Sequence, residues 1–374
     1  MKLLIAGDYC PRNRAGCLIE NGDFFSVFSE IRPLICNYEY SIVNFECSIV
    51  EGDAKPIEKS GPNFCCSVRG ADALKWLGFD CVTLANNHFL DYGESGVKQT
   101  LDYCKTIELD TVGGGINLEE ASKILYKEIE GKTLAVINCC EHEFSIATGK
   151  TAGSNPLNPI NQYYAIQEAK SKADYVLVIV HGGHEHYQLP SPRMQETYRF
   201  FVDAGADAVV NHHQHCYSGY EDYKGKPIFY GIGNFCFDEP SSPHLNWNEG
   251  YFVELEFIGE KIQFGIIPYC QCKHEAKVVL LPMDSFNEEI ESINRVICNS
   301  SILESKINEY YKDNAFLTGW QFEPYRNGVI FRLRQKGLLP SMLKNDERLL
   351  ITNNLMCESL NEKVRWWLIQ ELNK

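Results

Sequence analysis

The chain has 374 residues, 44% of them hydrophobic and 23% charged, with a formal net charge of -15. The apolar share supports a sizeable core, and the length fits one large domain with an appendage or two domains. The acidic balance argues against nucleic acid and against an anionic membrane surface as partners, and no run approaches the ~18 apolar residues of an integral membrane segment.

The start, MKLLIAGDYCPRNR, has too short an apolar core for a secretory leader, so the chain is expected to be cytoplasmic and its sixteen cysteines free thiols. Short apolar, β-branched runs then recur: KLLIAGD (2–8), SIVNFE (41–46), CVTLANN (81–87), LAVINCC (134–140), YVLVIVHGG (175–183), AVVNHH (208–213) and PIFYGIGNF (227–235). Each has the length and content of a buried strand. Amphipathic helices are expected between them at 71–79, 93–108 and 192–206, the last with Pro192 near its start and Gly205 at its end. Such alternation implies α/β layers around a central sheet. Residues 250–282 read as an antiparallel meander closing that sheet, with Cys270 and Cys272 as strand residues. From 285 onward the chain reads as polar helices, giving a main domain over 1–284 and a helical extension over 285–374 packed on it, with Trp366 and Trp367 as packing residues.

The ends of the runs carry the chemistry. The first ends in Gly7-Asp8, the second in Asn44-Phe45-Glu46, the third in Asn86-Asn87-His88, the fifth in His181-Gly182-Gly183, and the sixth leads into His212, His213 and His215. Sites in open α/β sheets form outside the carboxyl ends of the strands. One such residue would be an ordinary turn former, but five strand ends offering Asp, Glu, Asn or His form a set. Carboxylate, amide oxygen and imidazole together suit zinc, manganese or iron, and one carboxylate can bridge two ions ~3.5–4 Å apart. Glu46, inside an otherwise apolar run, needs a charged partner. His213 and His215 are expected on one side of an extended stretch, as i and i+2.

The order GD, NFE, NNH, HGGHE, GADAVVNHHQH and GNF closely resembles the bacterial capsule-synthesis CapA (poly-γ-glutamate capsule) family, a branch of the calcineurin-like metallophosphoesterases, over roughly residues 2–240. The resemblance implies a multilayer α/β metallophosphoesterase-like sandwich with the C-terminal helices appended. It implies one or two divalent ions (Mn, Zn or Fe), with Glu46 bridging, Asn87, His181 and His213 completing one site, and Asp8 and His215 holding the other. His88 would face the substrate as electrophile or general acid. Cys10 stands where the wider superfamily has a histidine ligand, so a weaker or absent first ion is expected, with Cys10 packing under the loop. Glu185 is expected to orient a ligand, His212 to support the cluster, and Asn86 to shape the turn. Arg12 and Arg14 are candidates for a substrate anion against an ordinary solvated role. The activity implied is metal-dependent hydrolysis, of a phosphoester first, on an anionic small molecule or polymer in capsule or polyglutamate-type polymer biosynthesis. Two alternatives stay open: a non-catalytic polymer-binding or assembly factor, and amide hydrolysis of a polyglutamate-like polymer. The sequence leaves the oligomeric state open.

Overall fold

A computed structural model describes residues 1–320 apart from Leu245 and Glu260, the single positions Leu333 and Leu338, and residues 344–372. Strands β1 (Lys2–Cys10), β2 (Tyr40–Phe45), β3 (Cys81–Thr83) and β4 (Asp110–Val112) lie side by side in parallel. The chain then builds a second sheet from β5 (Leu125–Ile129), β6 (Lys132–Cys140), β7 (Tyr175–His181), β8 (Ala208–His212), β9 (Tyr220–Tyr223) and β10 (Lys226–Phe229), in the order β9-β10-β8-β7-β6-β5. It returns to the first sheet through β11 (Asn234–Phe237) and the meander β12 (Glu249–Ile258), β13 (Lys261–Gln271) and β14 (Val278–Leu280), so that sheet runs β14-β13-β12-β1-β2-β3-β4, with β11 also paired to β1.

Period-two alternation on β1 explains the layering. Leu3 and Ile5 face the second sheet, where Val136, Val178, Val180 and Val209 share their core, whereas Leu4 and Ala6 face a separate core with Phe45, Leu74 and Val97. That second core is covered by α1 (Asn13–Glu20), α2 (Val68–Leu77) and α3 (Gly93–Thr106). The outer face of the second sheet carries α4 (Pro159–Lys172) and α5 (Pro192–Asp203), which bury Ile166, Met194, Tyr198 and Phe201. The result is a four-layer α/β sandwich with two sheets back to back.

The expected single strand 227–235 is instead two, and they belong to different sheets. Gly231-Ile232-Gly233 separates β10 from β11, and Gly233 takes φ +78°, a left-handed conformation that glycine adopts without penalty. A Cβ on Gly7 would stand 1.9 Å from the Gly233 carbonyl oxygen, so both glycines are required where this crossing touches β1. Below that point β1 pairs antiparallel with β12 through Lys2–Ile5, and above it parallel with β11 through Asp8–Cys10. Asp8 thus sits in the sheet at the place where the neighbour of β1 changes, beside a register shift.

The tail is helical in the described residues: α6 (Asp284–Ile297), α7 (Ser300–Trp320), α8 (Asn345–Met356) and α9 (Glu358–Leu372). Most of 321–343 within the expected extension lies outside the described residues. Phe286, Ile290, Ile293 and Ile297 of α6 join the inter-sheet core, so that core runs past residue 284. The later helices dock on the loops above the strand ends. Glu141 receives hydrogen bonds from Arg193 at 2.6 Å and from the Ser359 backbone at 3.0 Å, His142 pairs with Glu358 at 2.6 Å, and Arg193 also reaches Glu362 at 3.1 Å.

The Glu141 contribution to this docking is expected to depend on pH in a defined direction. Burial alone would raise the Glu141 carboxyl, but the Arg193 guanidinium and the Ser359 hydroxyl outweigh it and hold it at about 2, below the ordinary 4.5. A depressed carboxyl stabilises the fold above its unfolded value and loses that contribution as pH falls through its folded value. Protection of α8 and α9 from proteolysis should therefore be complete at neutral pH and fall away between pH 4.5 and 2. Glu141→Gln should weaken it already at pH 7, because the Arg193 guanidinium keeps Glu362 but loses its shorter carboxylate partner. Unchanged protection in that variant would mean the pair does not hold the helices.

Candidate metal centre

Because β1, β2 and β3 are mutually parallel and β7 is parallel to β8, their carboxyl ends come out on one edge of the sandwich. His212 closes the seam between the sheets: its Nε2 lies 3.0 Å from the Ala6 carbonyl oxygen. Above that seam Asp8, Glu46, Asn87, His181, His213 and His215 converge, all of them buried.

Two donor groups share Glu46. One is Glu46, His181 and His213, the other Asp8, Glu46 and His215, and within each the ligating atoms lie within 4.8 Å of one another. His181 Nε2 stands 3.1 Å from His213 Nδ1, 3.1 Å from Asn87 Oδ1 and 3.6 Å from a Glu46 oxygen. His215 Nε2 is 3.6 Å from the same Glu46 oxygen, and its Nδ1 is 3.6 Å from Asp8 Oδ2. Donors each ~2.1 Å from a common ion stand ~3.0–3.5 Å apart at tetrahedral or octahedral angles, so the spacing fits.

The electrostatics ask for a cation. Glu46 is fully buried, and among the described residues neither of its carboxylate oxygens has a hydrogen-bond partner. Burial, then the nearby Asp8 charge, pushes its carboxyl well above the ordinary range. His181 is driven the other way, well below its ordinary value, by burial and by the neighbouring imidazoles. A buried unpaired carboxylate is costly, and neutral imidazole is the form that ligates a metal. Divalent ions at the two groups would resolve both.

His213 and His215 do not reach the site as alternate residues of an extended strand. β8 ends at His212, and His213 and His215 take φ of +90° and +54°. Two side-chain-bearing residues in the left-handed region are strained. The turn is held by a hydrogen bond from the His213 amide to Asp8 at 3.2 Å, and His215 Nδ1 packs 2.9 Å from Asn234 Oδ1.

His88 lies apart from both donor groups. Its Nδ1 is 2.7 Å from Asp91 Oδ2, and its ring packs 4.2 Å from Phe64. Lys59, also buried, pairs with Asp91 and stands 3.1 Å from the same His88 nitrogen. Burial lowers His88 to about 4 despite the Asp91 carboxylate, so it is neutral at pH 7. Asn86 is a turn residue: its side chain donates to the Phe45 carbonyl at 2.9 Å and accepts from the His88 amide at 3.1 Å.

The remaining candidates separate. Cys10 is buried in the apolar core beneath α1 with Cys47 and Cys66, and it contributes to neither donor group. Glu185 is exposed at the rim, 3.8 Å from His186. His184 is buried against Tyr311 of α7 at 3.0 Å. Arg14 is partly exposed, but its guanidinium is committed to Asp238 at 2.7 Å and to the Cys272 carbonyl at 2.6 Å, so it is not free for an anion. Arg12 pairs with Glu239 at 3.2 Å across the Phe64 ring.

Several supporting residues had no role assigned from the sequence. The Asn44 amide nitrogen sits 2.7 Å from Asp8 Oδ1 and 3.3 Å from His181 Nδ1, tying the two groups together. Asn234 and Asp91 orient His215 and His88. Each of the three stands inside or beside a motif (NFE, GNF, and three residues after the NNH histidine). Lys59 comes from an irregular loop with no such signal.

Two relatives each match more than half of the chain. The capsule biosynthesis protein CapA of Bacillus anthracis is 36% identical over 221 residues, 57% of this chain and 54% of that protein. The PGA biosynthesis protein CapA of Bacillus subtilis (strain 168) is 34% identical over 223 residues, 57% of each. The chain thus spans little more than half the length of these relatives. Among solved structures, a hypothetical protein from Thermus thermophilus aligns with 75% of this chain and 100% of its own at 17% identity and a TM-score of 0.47. The calcineurin-like phosphoesterase YfkN from Bacillus subtilis aligns with 82% of this chain and 98% of its own at 12% identity and a TM-score of 0.38. Residues 2–239, which hold every residue of the cluster, match the bacterial capsule synthesis protein PGA_cap family, and the chain belongs to that family.

Proposed function

We propose that this chain is a divalent-metal-dependent hydrolase, acting on a phosphoester in capsule or polyglutamate-type polymer biosynthesis. The observation that carries this reading is Glu46, whose two buried oxygens have no hydrogen-bond partner among the described residues and are shared by two imidazole-containing donor groups. The two CapA relatives, a capsule biosynthesis protein and a PGA biosynthesis protein, support the biosynthetic setting. Ions held there would supply Lewis acidity toward a phosphoryl oxygen and lower the pKa of a water.

The chain's own residues would do the rest. Asn44 fixes Asp8 and His181, and Asn234 fixes His215, so the donors are oriented before a ligand arrives. With Nδ1 of His88 turned to Asp91, Nε2 is the ring nitrogen left for a ligand in the cleft. An anionic phosphoryl group beside it favours the imidazolium, which can then donate a proton to the departing oxygen. Phe64 covers the other side of the ring and keeps water off it.

The test is metal content and turnover of the purified full chain. After dialysis against Mn or Zn we expect bound metal and hydrolysis of an aryl phosphate, with γ-glutamyl amides as the comparison substrate. The group of Glu46, Asn87, His181 and His213 has one more protein donor than that of Asp8, Glu46 and His215. Titration should therefore show two separated affinities, and Cys10→Ala should leave both unchanged. A protein that binds no divalent ion ends this reading. One that binds metal and polymer without any turnover is an assembly factor instead.

A further inference from the structure

The cleft above the Glu46 cluster has two walls. Asn87, His88, His213 and Glu185 come from the family domain, and α8 and α9 face them across a space of about 410 Å³ with Leu350, Asn353, Leu360 and Lys363. The matched family region ends at residue 239, so this wall is an addition of the C-terminal helices.

Among the described residues its one cation, Lys363, makes no ion pair. Lys59 is held by Asp91, and Arg12 by Glu239. Lys363 is half-buried. Burial lowers its ammonium below the ordinary value, and the Glu185 and Glu143 carboxylates oppose that only in part. The helix that carries it does not float. Glu358, Ser359 and Glu362, on the turn before it, are fixed to His142, Glu141 and Arg193. A long cation held over a metal-type site by a rigid helix is placed for a ligand.

We propose that Lys363 is a substrate-binding residue: it takes a second anionic group, carboxylate or phosphate, on a ligand whose phosphoryl end sits at the Glu46 cluster. This rests on the metal-site reading above and adds the substrate class, a phosphorylated compound with a distal anion. The C-terminal helices then set specificity, whereas the family domain supplies the chemistry.

The test is equilibrium binding to the Mn-loaded full chain, so it does not depend on turnover. Alkylphosphonates with methyl, carboxylate or phosphonate at the far end are compared over two to eight carbons. At one length or more, a far-end anion should tighten binding about tenfold over the methyl compound, the usual gain of one charge-assisted hydrogen bond. The preferred anion identifies the group. Lys363→Met should erase that gain and leave the methyl compounds unaffected, and Lys363→Arg should keep most of it. Melting temperatures of both variants check that the helix stays docked. No gain at any length, or a gain that survives Lys363→Met, overturns the proposal. If not even the methyl compounds bind, the metal-site reading fails and takes this one with it.

Discussion

His181→Ala should strip one divalent ion from the protein. His181 Nε2 faces Glu46, Asn87 and His213 together, so its removal opens the better-furnished group. Loss of a residue that merely orients a ligand lowers metal affinity about 10–100-fold, and loss of the ligand itself should exceed the upper end of that range. The second group, of Asp8, Glu46 and His215, keeps its donors. Inductively coupled plasma analysis after dialysis should therefore read about one ion fewer per chain than the parent, with the far-ultraviolet spectrum unchanged. Full stoichiometry in the variant would mean that these donors hold no metal.

How much of this could be read in advance depends on the kind of signal. The strands were legible because both sheets are buried on both faces, and residues such as Val176–Val180 form unbroken apolar runs. Their polar ends stood out against that background, and Glu46 most of all. Position along the run was less legible than existence. The stretch 227–235 is continuous in hydrophobicity, and nothing in its periodicity marks Gly231–Gly233 as the crossing between sheets. The requirement there is steric, set by Gly7 at the far end of the sequence. The same limit applies to the histidine turn. Alternation in sequence suggested a shared strand face for His213 and His215, whereas two left-handed residues and a bond to Asp8 bring them together. Arg14 illustrates a third limit. An arginine in a loop near a strand end looks available, and only the fold shows that Asp238 and the Cys272 carbonyl occupy it. Lys363 had no signal at all, because its meaning comes from where α9 docks.

His88→Ala should separate proton transfer from metal binding. The imidazole belongs to neither donor group, so metal content should stay at the parental value. Turnover of the best phosphoester should fall by about 10²–10⁴, the usual worth of a positioned general acid or base. The loss should be largest for esters with poor leaving groups, which need a proton on the departing oxygen, and smallest for activated aryl esters, which do not. Asp91→Asn offers the contrast that tests this assignment. Asp91 is buried, accepts from Lys59 and from the Phe64 amide, and touches His88 Nδ1. Its neutralisation leaves a buried ammonium without its carboxylate, a loss of about 3–5 kcal/mol. Asp91→Asn should thus lower both melting temperature and turnover, whereas His88→Ala should lower turnover with little change in melting temperature. Equal turnover of His88→Ala and the parent on a poor-leaving-group ester would remove His88 from the reaction. A parallel loss of bound metal would move it into the metal site instead.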